Sequence, residues 1–232
     1  MKIPKHVGVI LDGNRRWAKT HGKVSLIGHK EGVENVSNLF TWSKEAGIRQ
    51  LTLYIFSKEN YDKRSKQETD YLMKLFRQSF DDLKNKIDID KHQVKLRFIG
   101  QISLLPDTLQ SMMNKMTDET RHYDKYTINF AIMYGGRAEI VDAVRRISDD
   151  ISSGKVDPSE LDEVLFSNYL YMKDEPDLII RTGNAVRTSN FLTWQSAYSE
   201  WYFSEKMWPE FTKQDFLDAM KEFSRRERRF GA

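Results

Sequence analysis

The residues best suited to chemistry lie in three short polar clusters, each directly after an apolar run. The clusters are Asp12-Gly13-Asn14-Arg15-Arg16 after residues 7–11, Ser57-Lys58-Glu59-Asn60 after residues 50–56, and Arg181 with the following GNAVRTSN after residues 178–180. Planar guanidinium groups such as those of Arg181 and Arg187 bind phosphate oxygens in pairs, and a serine hydroxyl adds a small donor. The clusters therefore predict a site for an anion.

Each cluster by itself has an ordinary structural explanation. Asp-Gly is typical of a two-residue hairpin turn, and an arginine pair such as Arg15 and Arg16 is typical of a solvated surface. A hairpin at Asp12 and Gly13 is disfavoured, because strands alternate with helical patterns and a parallel sheet needs a crossover after its first strand. Arg181 is the hardest to explain as surface, since it directly follows an apolar run.

The order of predicted elements brings these clusters together. Apolar runs predict strands at residues 7–11, 50–56, 94–99, 127–133 and 178–180, and amphipathic patterns predict helices at residues 29–46, 66–85, 104–120, 138–152 and 158–169. The aromatic stretch 194–203 is interpreted as a short helix running into a strand. This alternation is typical of an α/β fold with a central, mainly parallel sheet flanked by helices. Ligands of such sheets bind beyond the carboxyl ends of the strands, so we expect one shared site there.

Composition narrows the class of protein. The 232 residues contain no repeat and no Pro/Gly/Ser linker, which predicts a single domain over residues 1–232. The formal charge is only +3, and the arginines are not interleaved with exposed aromatic residues, so no nucleic acid partner is expected. The sequence has no cysteine, no apolar stretch long enough for a membrane and no signal-peptide cleavage region, so a cytoplasmic location is expected.

Absent motifs narrow the identity of the anion. GxxxxGK[ST] is absent and no GxGxxG follows the first predicted strand. The sequence therefore does not indicate a nucleoside triphosphate or a dinucleotide as the ligand. HExxH and EF-hand loops are absent as well. A lone aspartate among arginines suits a diphosphate bound with Mg²⁺, because Mg²⁺ is held by one or two carboxylates plus substrate phosphates. Asp12 is that aspartate, and Glu200 in YSEWYF is a candidate second carboxylate.

Longer motifs carry a resemblance to a known family. They are HVGVILDGNRRWAK, GHKEGVENV, LTLYIFSKENY, INFAIMYGGRAEIVDAVRRI, PDLIIRTGNAVRTSNFLTWQSAYSEWYFSEKMWPEF and RRERRFG. In order, from His6 to Gly231, they resemble the cis-prenyltransferases, the family of undecaprenyl diphosphate synthase. The resemblance implies a hydrophobic tunnel between sheet and helices, and a homodimer. It also implies condensation of isopentenyl diphosphate with an allylic prenyl diphosphate, which releases diphosphate and forms a Z-polyprenyl diphosphate.

The resemblance implies roles for individual residues. Asp12 assists Mg²⁺ and the departure of diphosphate, and Glu200 is a second magnesium ligand. Ser57 and Asn60 fall on the FSxEN motif near the reacting carbons and are the other catalytic candidates. The implied substrate-binding residues are Gly13, Asn14, Arg15, Arg16, Trp17 and His29 for the allylic diphosphate, Arg181, Arg187 and Ser189 for isopentenyl diphosphate, and Arg229 and Gly231, which reach the neighbouring subunit's site.

The sequence departs from the usual pattern of this family near the predicted site. Arg15 stands where glycine is usual, Ser25 where arginine is usual, Lys63-Arg64 where Arg-Pro is usual, and Asn184-Ala185 where Gly-Glu is usual. These departures leave the donor, the chain length and the regiochemistry open. Two alternatives therefore stand: a non-head-to-tail condensation to a short or branched product, as in lavandulyl diphosphate synthases, and a noncatalytic partner subunit of a prenyltransferase.

Tunnel length is expected to set product length, since a growing chain stops where its end meets a bulky wall. Candidate wall residues lie on the helix after the second strand and in strand 127–133, where Phe130, Ile132 and Met133 are large. A peripheral membrane contact is expected to help release a long product.

Overall fold

The computed structural model describes residues 2–226. The strands are β1 (His6–Ile10), β2 (Gln50–Ser57), β3 (Val94–Ile99), β4 (Tyr126–Tyr134), β5 (Leu178–Arg181) and β6 (Glu200–Phe203). The helices are α1 (Asn14–Thr20), α2 (Ser25–Glu45), α3 (Lys58–Lys63), α4 (Lys66–Lys86), α5 (Ile89–His92), α6 (Asp107–Thr120), α7 (Gly136–Ser152), α8 (Glu163–Asn168) and α9 (Lys213–Arg225). Single 3₁₀ turns lie at Ile102–Leu104, Pro158–Glu160 and Trp208–Glu210.

The strands of the described chain form one six-stranded sheet in the order β3-β4-β2-β1-β5-β6. Every neighbouring pair is parallel, and Ile10 of β1 lies beside Tyr54 of β2 and Arg181 of β5. All strands therefore end at the same edge of the sheet. The predicted α/β fold with a parallel sheet is confirmed, and the ends of β1, β2 and β5 are adjacent.

The predicted strands are all present, with ends within one residue of those expected. The helix expected at the start of 194–203 is wrong: these residues form turns before β6, and Asn190 and Leu192 just before them have φ of 61° and 48°. Left-handed residues interrupt a right-handed helix. The helix expected over 158–169 is also wrong as one unit, because Leu161 is extended and Asp162 starts α8 by accepting a hydrogen bond from Leu165 N at 2.7 Å.

Helix α9 was not expected, although its start carries a recognisable signal. Thr212 accepts a hydrogen bond from Asp215 N, and the Asp215 carboxylate accepts one from Thr212 N at 2.9 Å. This reciprocal arrangement is a capping box, which Thr-x-x-Asp before an amphipathic run indicates. No helix within residues 2–226 has both the length and the apolar character to cross a membrane.

Apolar side chains project from both faces of the sheet and are buried. Val7, Val9 and Leu53 belong to the larger cluster, which packs with residues of α2, α4 and α9. Ile10 and Ile179 belong to a second cluster. A parallel sheet covered on both faces excludes water from its strands, which explains the nearly continuous apolar runs in the sequence. Polar groups are thus concentrated where the strands end.

Candidate active site

A cavity of about 1290 Å³ opens at the edge where the strands end. Its mouth is lined by polar residues from the loops after β1, β2 and β5, and its interior is lined by apolar residues of the sheet, α2 and α4. The predicted site residues that line it are Asp12, Gly13, Asn14, Arg15, Arg16, His29, Ser57, Asn60, Arg181, Arg187 and Ser189. The structure therefore brings the three sequence clusters to one cavity.

The turn after β1 fixes the position of Asp12. Its carbonyl oxygen accepts hydrogen bonds from Trp208 N at 3.0 Å and from Thr182 Oγ1 at 2.8 Å. Gly13 follows with φ of 114°, and a Cβ atom there would lie 2.8 Å from Met207 Cβ. Only glycine accommodates both the positive φ and the close approach. The Asp-Gly pair is a strand-to-helix turn in this chain, because α1 begins at Asn14.

The Asp12 carboxylate lies between two guanidinium groups. Oδ2 accepts from Arg181 Nη2 at 2.7 Å, and Oδ1 accepts from Arg16 Nη2 at 3.2 Å. The Arg181 side chain is only 3% exposed, and its Nη1 donates to Arg187 O at 2.7 Å and to Ser189 Oγ. Arg181 Nε is buried without a hydrogen-bond partner among the described residues. A buried cation with spare donors beside a half-exposed carboxylate is suited to binding an anion.

The loop after β5 is anchored by Asn190, which the sequence interpretation did not single out. Its Nδ2 donates to Glu59 Oε1 at 2.6 Å, and its Oδ1 accepts from Arg137 N at 2.9 Å. These contacts join the loop to the first turn of α3 and to the start of α7. Arg187 and Ser189 remain exposed at the cavity mouth. The amide that ends the polar stretch RTSN is the sequence signal that could have predicted this contact.

A second basic group lies around the Glu68 carboxylate of α4. Glu68 Oε1 is 3.3 Å from Arg64 Nη1, 3.6 Å from His29 Nε2 and 3.8 Å from Arg15 Nε. Burial, followed by the charge of Arg64, lowers the pKa of His29 to about 4. His29 is therefore neutral near pH 7, and the positive charge of this group belongs to the two arginines.

Ser57 and Asn60 are arranged by the start of α3. The Ser57 hydroxyl accepts a hydrogen bond from Asn60 N at 3.0 Å and so caps the helix. Both residues line the cavity, as does Phe56, which directly precedes Ser57. The FSxEN sequence thus ends β2, caps α3 and contributes polar groups to the cavity.

The sequence matches the model of one known protein family. The family model described as undecaprenyl diphosphate synthase matches residues 10–231. The chain belongs to the undecaprenyl diphosphate synthase family. It is 47% identical over 231 residues to the tritrans,polycis-undecaprenyl-diphosphate synthase (geranylgeranyl-diphosphate specific) of Pyrococcus horikoshii, covering 99% of this chain and 87% of that protein. The isoprenyl transferase of Thermotoga maritima is also 47% identical, over 100% of this chain and 98% of that protein.

A solved structure supports the same family. Lavandulyl diphosphate synthase from Lavandula x intermedia, in complex with dimethylallyl diphosphate, superposes with a TM-score of 0.92 at 34% identity, covering 99% of both chains. The relatives in this family are prenyl transferases and prenyl diphosphate synthases. The resemblance of the sequence motifs to this family is confirmed.

One residue that the resemblance to this family implied is not at the cavity. Glu200 begins β6 and lies in register with Leu178 and Val7, at the edge where the strands start. Its carboxylate binds Arg226 Nη1 at 2.9 Å. Asp12 follows the opposite end of β1, so a single chain does not bring the two carboxylates together as a metal pair. Because β6 runs parallel to β1 and starts at Glu200, Glu200 and Asp12 lie at opposite edges of the sheet.

Of three further implied residues, one is described and does not line the cavity. Trp17 is buried beside it, with its ring stacked on His21 at a centroid distance of 4.4 Å, and does not line the cavity. Arg229 and Gly231 lie outside the described residues. The resemblance implied that Trp17 binds the allylic diphosphate, but its ring is buried and stacked on His21.

The apolar interior is formed by residues that differ partly from those expected. Leu72, Leu75 and Phe76 of α4 line it, as the expectation for the helix after the second strand requires. The strand residues Phe130, Ile132 and Met133 are buried and do not line it. Phe130 instead packs against Phe80 at 5.3 Å, behind Phe76. Helix α4 therefore separates this part of β4 from the cavity.

Proposed function

We propose that the protein condenses isopentenyl diphosphate with an allylic prenyl diphosphate to form a Z-polyprenyl diphosphate, releasing diphosphate. The observation that carries the proposal is the buried Arg181 guanidinium, 2.7 Å from Asp12, at the mouth of a cavity with an apolar interior. Such a cavity offers an ionic end for a diphosphate and an apolar end for a hydrocarbon chain. The names of relatives at 47% identity agree with it.

The two substrates are assigned to the two groups of polar residues. The allylic diphosphate binds to Gly13, Asn14, Arg15, Arg16 and His29, and isopentenyl diphosphate binds to Arg181, Arg187 and Ser189. The support is that both groups line one cavity and are bridged by Asp12, whose carboxylate accepts from Arg16 and Arg181. This arrangement holds the two diphosphates near each other, so that the reacting carbons lie within bonding reach.

Catalysis then rests on charge that develops as the allylic carbon–oxygen bond breaks. Negative charge grows on the leaving diphosphate, and guanidinium groups already in position stabilise it without reorganisation. Arg16 and Arg181 are held in place through Asp12, at 3.2 and 2.7 Å. Ser57 and Asn60 lie beside the reacting carbons as the proton leaves isopentenyl diphosphate. The apolar interior orients the prenyl chain and excludes water from the reacting carbons.

Asp12 is the residue that would hold Mg²⁺, together with oxygens of the diphosphate. The donors fit a site with one protein carboxylate, since the Asp12 side chain is 29% exposed. Within residues 2–226, no group of three or more Asp, Glu or His could hold an ion without the substrate. One carboxylate plus substrate phosphates is the usual environment of Mg²⁺. When bound, Mg²⁺ supplies positive charge that neutralises the leaving diphosphate.

We propose geranylgeranyl diphosphate as the starter, because the Pyrococcus horikoshii relative is named as specific for it. Non-head-to-tail condensation is not favoured, since the lavandulyl diphosphate synthase is 34% identical and the undecaprenyl-diphosphate synthase 47% identical. A noncatalytic role is not favoured either, because Asp12, Arg181 and Arg187 are all present at one cavity.

We further propose a cytoplasmic homodimer that contacts a membrane peripherally to release its product. Glu200 supports the dimer, because it lies on the edge strand β6 and is separated from Asp12 of its own chain. If a second copy packs along that edge, Glu200 can act as a magnesium ligand in the active site of the second copy.

The test is incubation of the purified protein with Mg²⁺, isopentenyl diphosphate and allylic starters of increasing length. Chromatography of the dephosphorylated products is expected to show Z-polyprenols, with geranylgeranyl diphosphate the best starter. Product from dimethylallyl diphosphate alone would instead support the lavandulyl type. Absence of any condensation by the folded protein would refute the proposal.

A further inference from the structure

The loop after β5 has an unusual backbone where it carries the residues assigned to isopentenyl diphosphate. Ser189 has φ of 50° and Asn190 has φ of 61°. Residues other than glycine rarely adopt the left-handed conformation, so two in succession need surrounding contacts to hold them. Arg181 Nη1 supplies such contacts on one side, because it donates to Arg187 O and to Ser189 Oγ. On the other side, the contacts belong to Asn190.

Asn190 is held through its main chain and through both ends of its amide. Its carbonyl oxygen accepts from Gly136 N at 2.8 Å, and its Oδ1 accepts from Arg137 N at 2.9 Å. Its Nδ2 donates to Glu59 Oε1 at 2.6 Å. These partners fix the orientation of the amide, since a backbone N–H only donates and a carboxylate only accepts. The bond to Glu59 is expected to be the strongest of the three, because its acceptor is charged.

Glu59 connects the loop to the helix that carries Asn60. It lies in the first turn of α3, between the capping residue Ser57 and Asn60, and all three residues line the cavity. A Cβ atom at Gly135 would lie 2.9 Å from Asn190 Nδ2 and 3.3 Å from Glu59 Oε1. The backbone at the end of β4 therefore approaches the pair closely, and glycine leaves the space that the hydrogen bond occupies.

A carboxylate in a cavity suited to diphosphates requires an explanation. Glu59 and a diphosphate are both negatively charged, so direct contact between them would oppose binding. The contact with Asn190 supplies a different role, because it acts on the backbone that carries Arg187 and Ser189. Without the contact, the loop would present these two side chains to a substrate over a range of positions. Glu59 therefore promotes binding of an anion through the groups that it holds.

We propose that Glu59 and Asn190 are positioning residues for isopentenyl diphosphate. Their hydrogen bond holds the loop after β5 in the conformation that presents Arg187 and Ser189 to the diphosphate of this substrate. The inference rests on the proposed function and deepens it. Isopentenyl diphosphate is short, and its reacting end is assigned to α3 while its diphosphate is assigned to the loop. A bond between these two segments fixes the distance between the groups that meet the two ends of one molecule.

The first test compares Glu59→Ala with Asp62→Ala. Asp62 is a matched control, because it is an exposed carboxylate of the same helix that pairs with Lys58 at 2.7 Å and does not line the cavity. Isothermal titration with isopentenyl diphosphate alone measures affinity without turnover, since condensation requires the allylic substrate. Glu59→Ala is expected to weaken this affinity by about tenfold. Asp62→Ala is expected to change it by less than about twofold.

Titration with an allylic thiolodiphosphate that does not react separates positioning from a general loss of structure. Its affinity is expected to change by less than about twofold in Glu59→Ala, because the groups assigned to the allylic diphosphate lie on other segments. Circular dichroism checks that each variant is folded.

The second test asks whether the hydrogen bond itself carries the effect. Glu59→Gln keeps an acceptor for Asn190 and is expected to retain affinity for isopentenyl diphosphate within about threefold. Asn190→Gly keeps the left-handed backbone without strain but removes the amide, and is expected to weaken binding by at least as much as Glu59→Ala. The double variant is expected to bind no more weakly than Asn190→Gly alone, since both substitutions remove the same bond.

Four results would overturn the inference: unchanged or tighter binding of isopentenyl diphosphate in Glu59→Ala, an equal loss in Asp62→Ala, an equal loss in Glu59→Gln, or a double variant whose loss is the product of the two single losses. Tighter binding in Glu59→Ala would mean that the carboxylate acts only by repulsion. Failure of the proposed function is distinguishable, because it would appear as absence of condensation by the unmodified protein.

Discussion

Asp12 and Glu139 are both carboxylates near the strand ends, and the structure holds them in opposite ways. The Asp12 side chain is 29% exposed and contacts two guanidinium groups. Glu139 is fully buried, and the groups that donate to it are neutral: Tyr134 Oη, Tyr171 N at 2.8 Å and Gln195 Nε2 at 3.0 Å. Burial raises the pKa of the Glu139 carboxyl, because the described groups that donate to it carry no positive charge to offset desolvation.

The difference indicates that Asp12 is arranged for ligand binding and that Glu139 is arranged to stabilise the fold. The cations around Asp12 face a cavity, so a ligand's oxygens can compete for them. Besides Tyr134, the donors to Glu139 are Tyr171, Met172 and Gln195, which lie before and after the substrate loop in sequence. Glu139 thus fixes both ends of the segment that carries Arg181 and Arg187. Asp12 is expected to need its charge, and Glu139 to need its shape and acceptors.

Asp12→Asn is the strongest test of the comparison. The amide keeps the size of the side chain but removes its charge, so kcat for condensation is expected to fall by about a thousandfold. The value of kcat is measured in stopped assays at saturating concentrations of both substrates. The buried Arg181 loses its counter-ion, so the thermal midpoint should fall and added inorganic diphosphate should restore it. Near-normal turnover would remove Asp12 from the reaction.

Glu139→Ala and Glu139→Gln test the other half of the comparison. The alanine leaves several buried donors without an acceptor, so we expect a loss of about 3 kcal/mol, or about 6–12 °C in Tm for a chain of this size. Glutamine keeps an acceptor in the same position and should lose much less. Differential scanning calorimetry measures both. Equal losses in the two variants would mean that Glu139, like Asp12, depends on its charge.

Arg187→Ala sharpens the distinction between binding and folding within the substrate loop. The Arg187 side chain is exposed at the cavity, and its backbone carbonyl, which the substitution keeps, accepts from Arg181. KM for isopentenyl diphosphate is expected to rise by about tenfold while Tm is unchanged. An unchanged KM would exclude Arg187 from the site.

The smallest expected effect is a pH dependence that belongs to Glu139. A folded-state pKa above the ordinary value of 4.5 means that this group stabilises the fold fully below that pH, and that the contribution is lost as pH rises through the raised pKa. The Tm of the unmodified protein relative to Glu139→Gln should therefore fall as pH increases from about 4. A difference that stays constant with pH would contradict the assigned direction.

Much of this architecture was predictable from local pattern. The apolar runs located β1 to β5, and the central strands among them have nearly continuous apolar sequence because they are buried on both faces. The positions of Asp12 and Arg181 directly after such runs placed them at one edge of a parallel sheet, and Ile10 and Arg181 are indeed in register. The short helix expected in residues 194–203 failed, since left-handed residues before it depend on the contacts of Asn190 and are not encoded by hydrophobic periodicity.

The roles of paired residues were less predictable. Glu59 and Asn190 are 131 positions apart, and their hydrogen bond depends on how two loops meet. Glu200 was expected near Asp12 because both lie in family motifs, but strand direction separates them within one chain. Which large residues line the cavity also depended on packing, since Phe130 is buried away from the cavity and Phe76 of α4 lines it.

By itself, the amino-acid sequence determined the strand positions, the polar clusters that follow them and the membership of the family, because periodicity, turn chemistry and motif order are local properties of the chain. Tertiary structure alone decided that Arg181 is buried against Asp12, that Arg15, His29 and Arg64 converge on Glu68, and that Glu139 is surrounded by neutral donors. The physical reason is that the energy of a charge depends on its burial and on its partners in space, and neither is a property of the residue's place in the sequence.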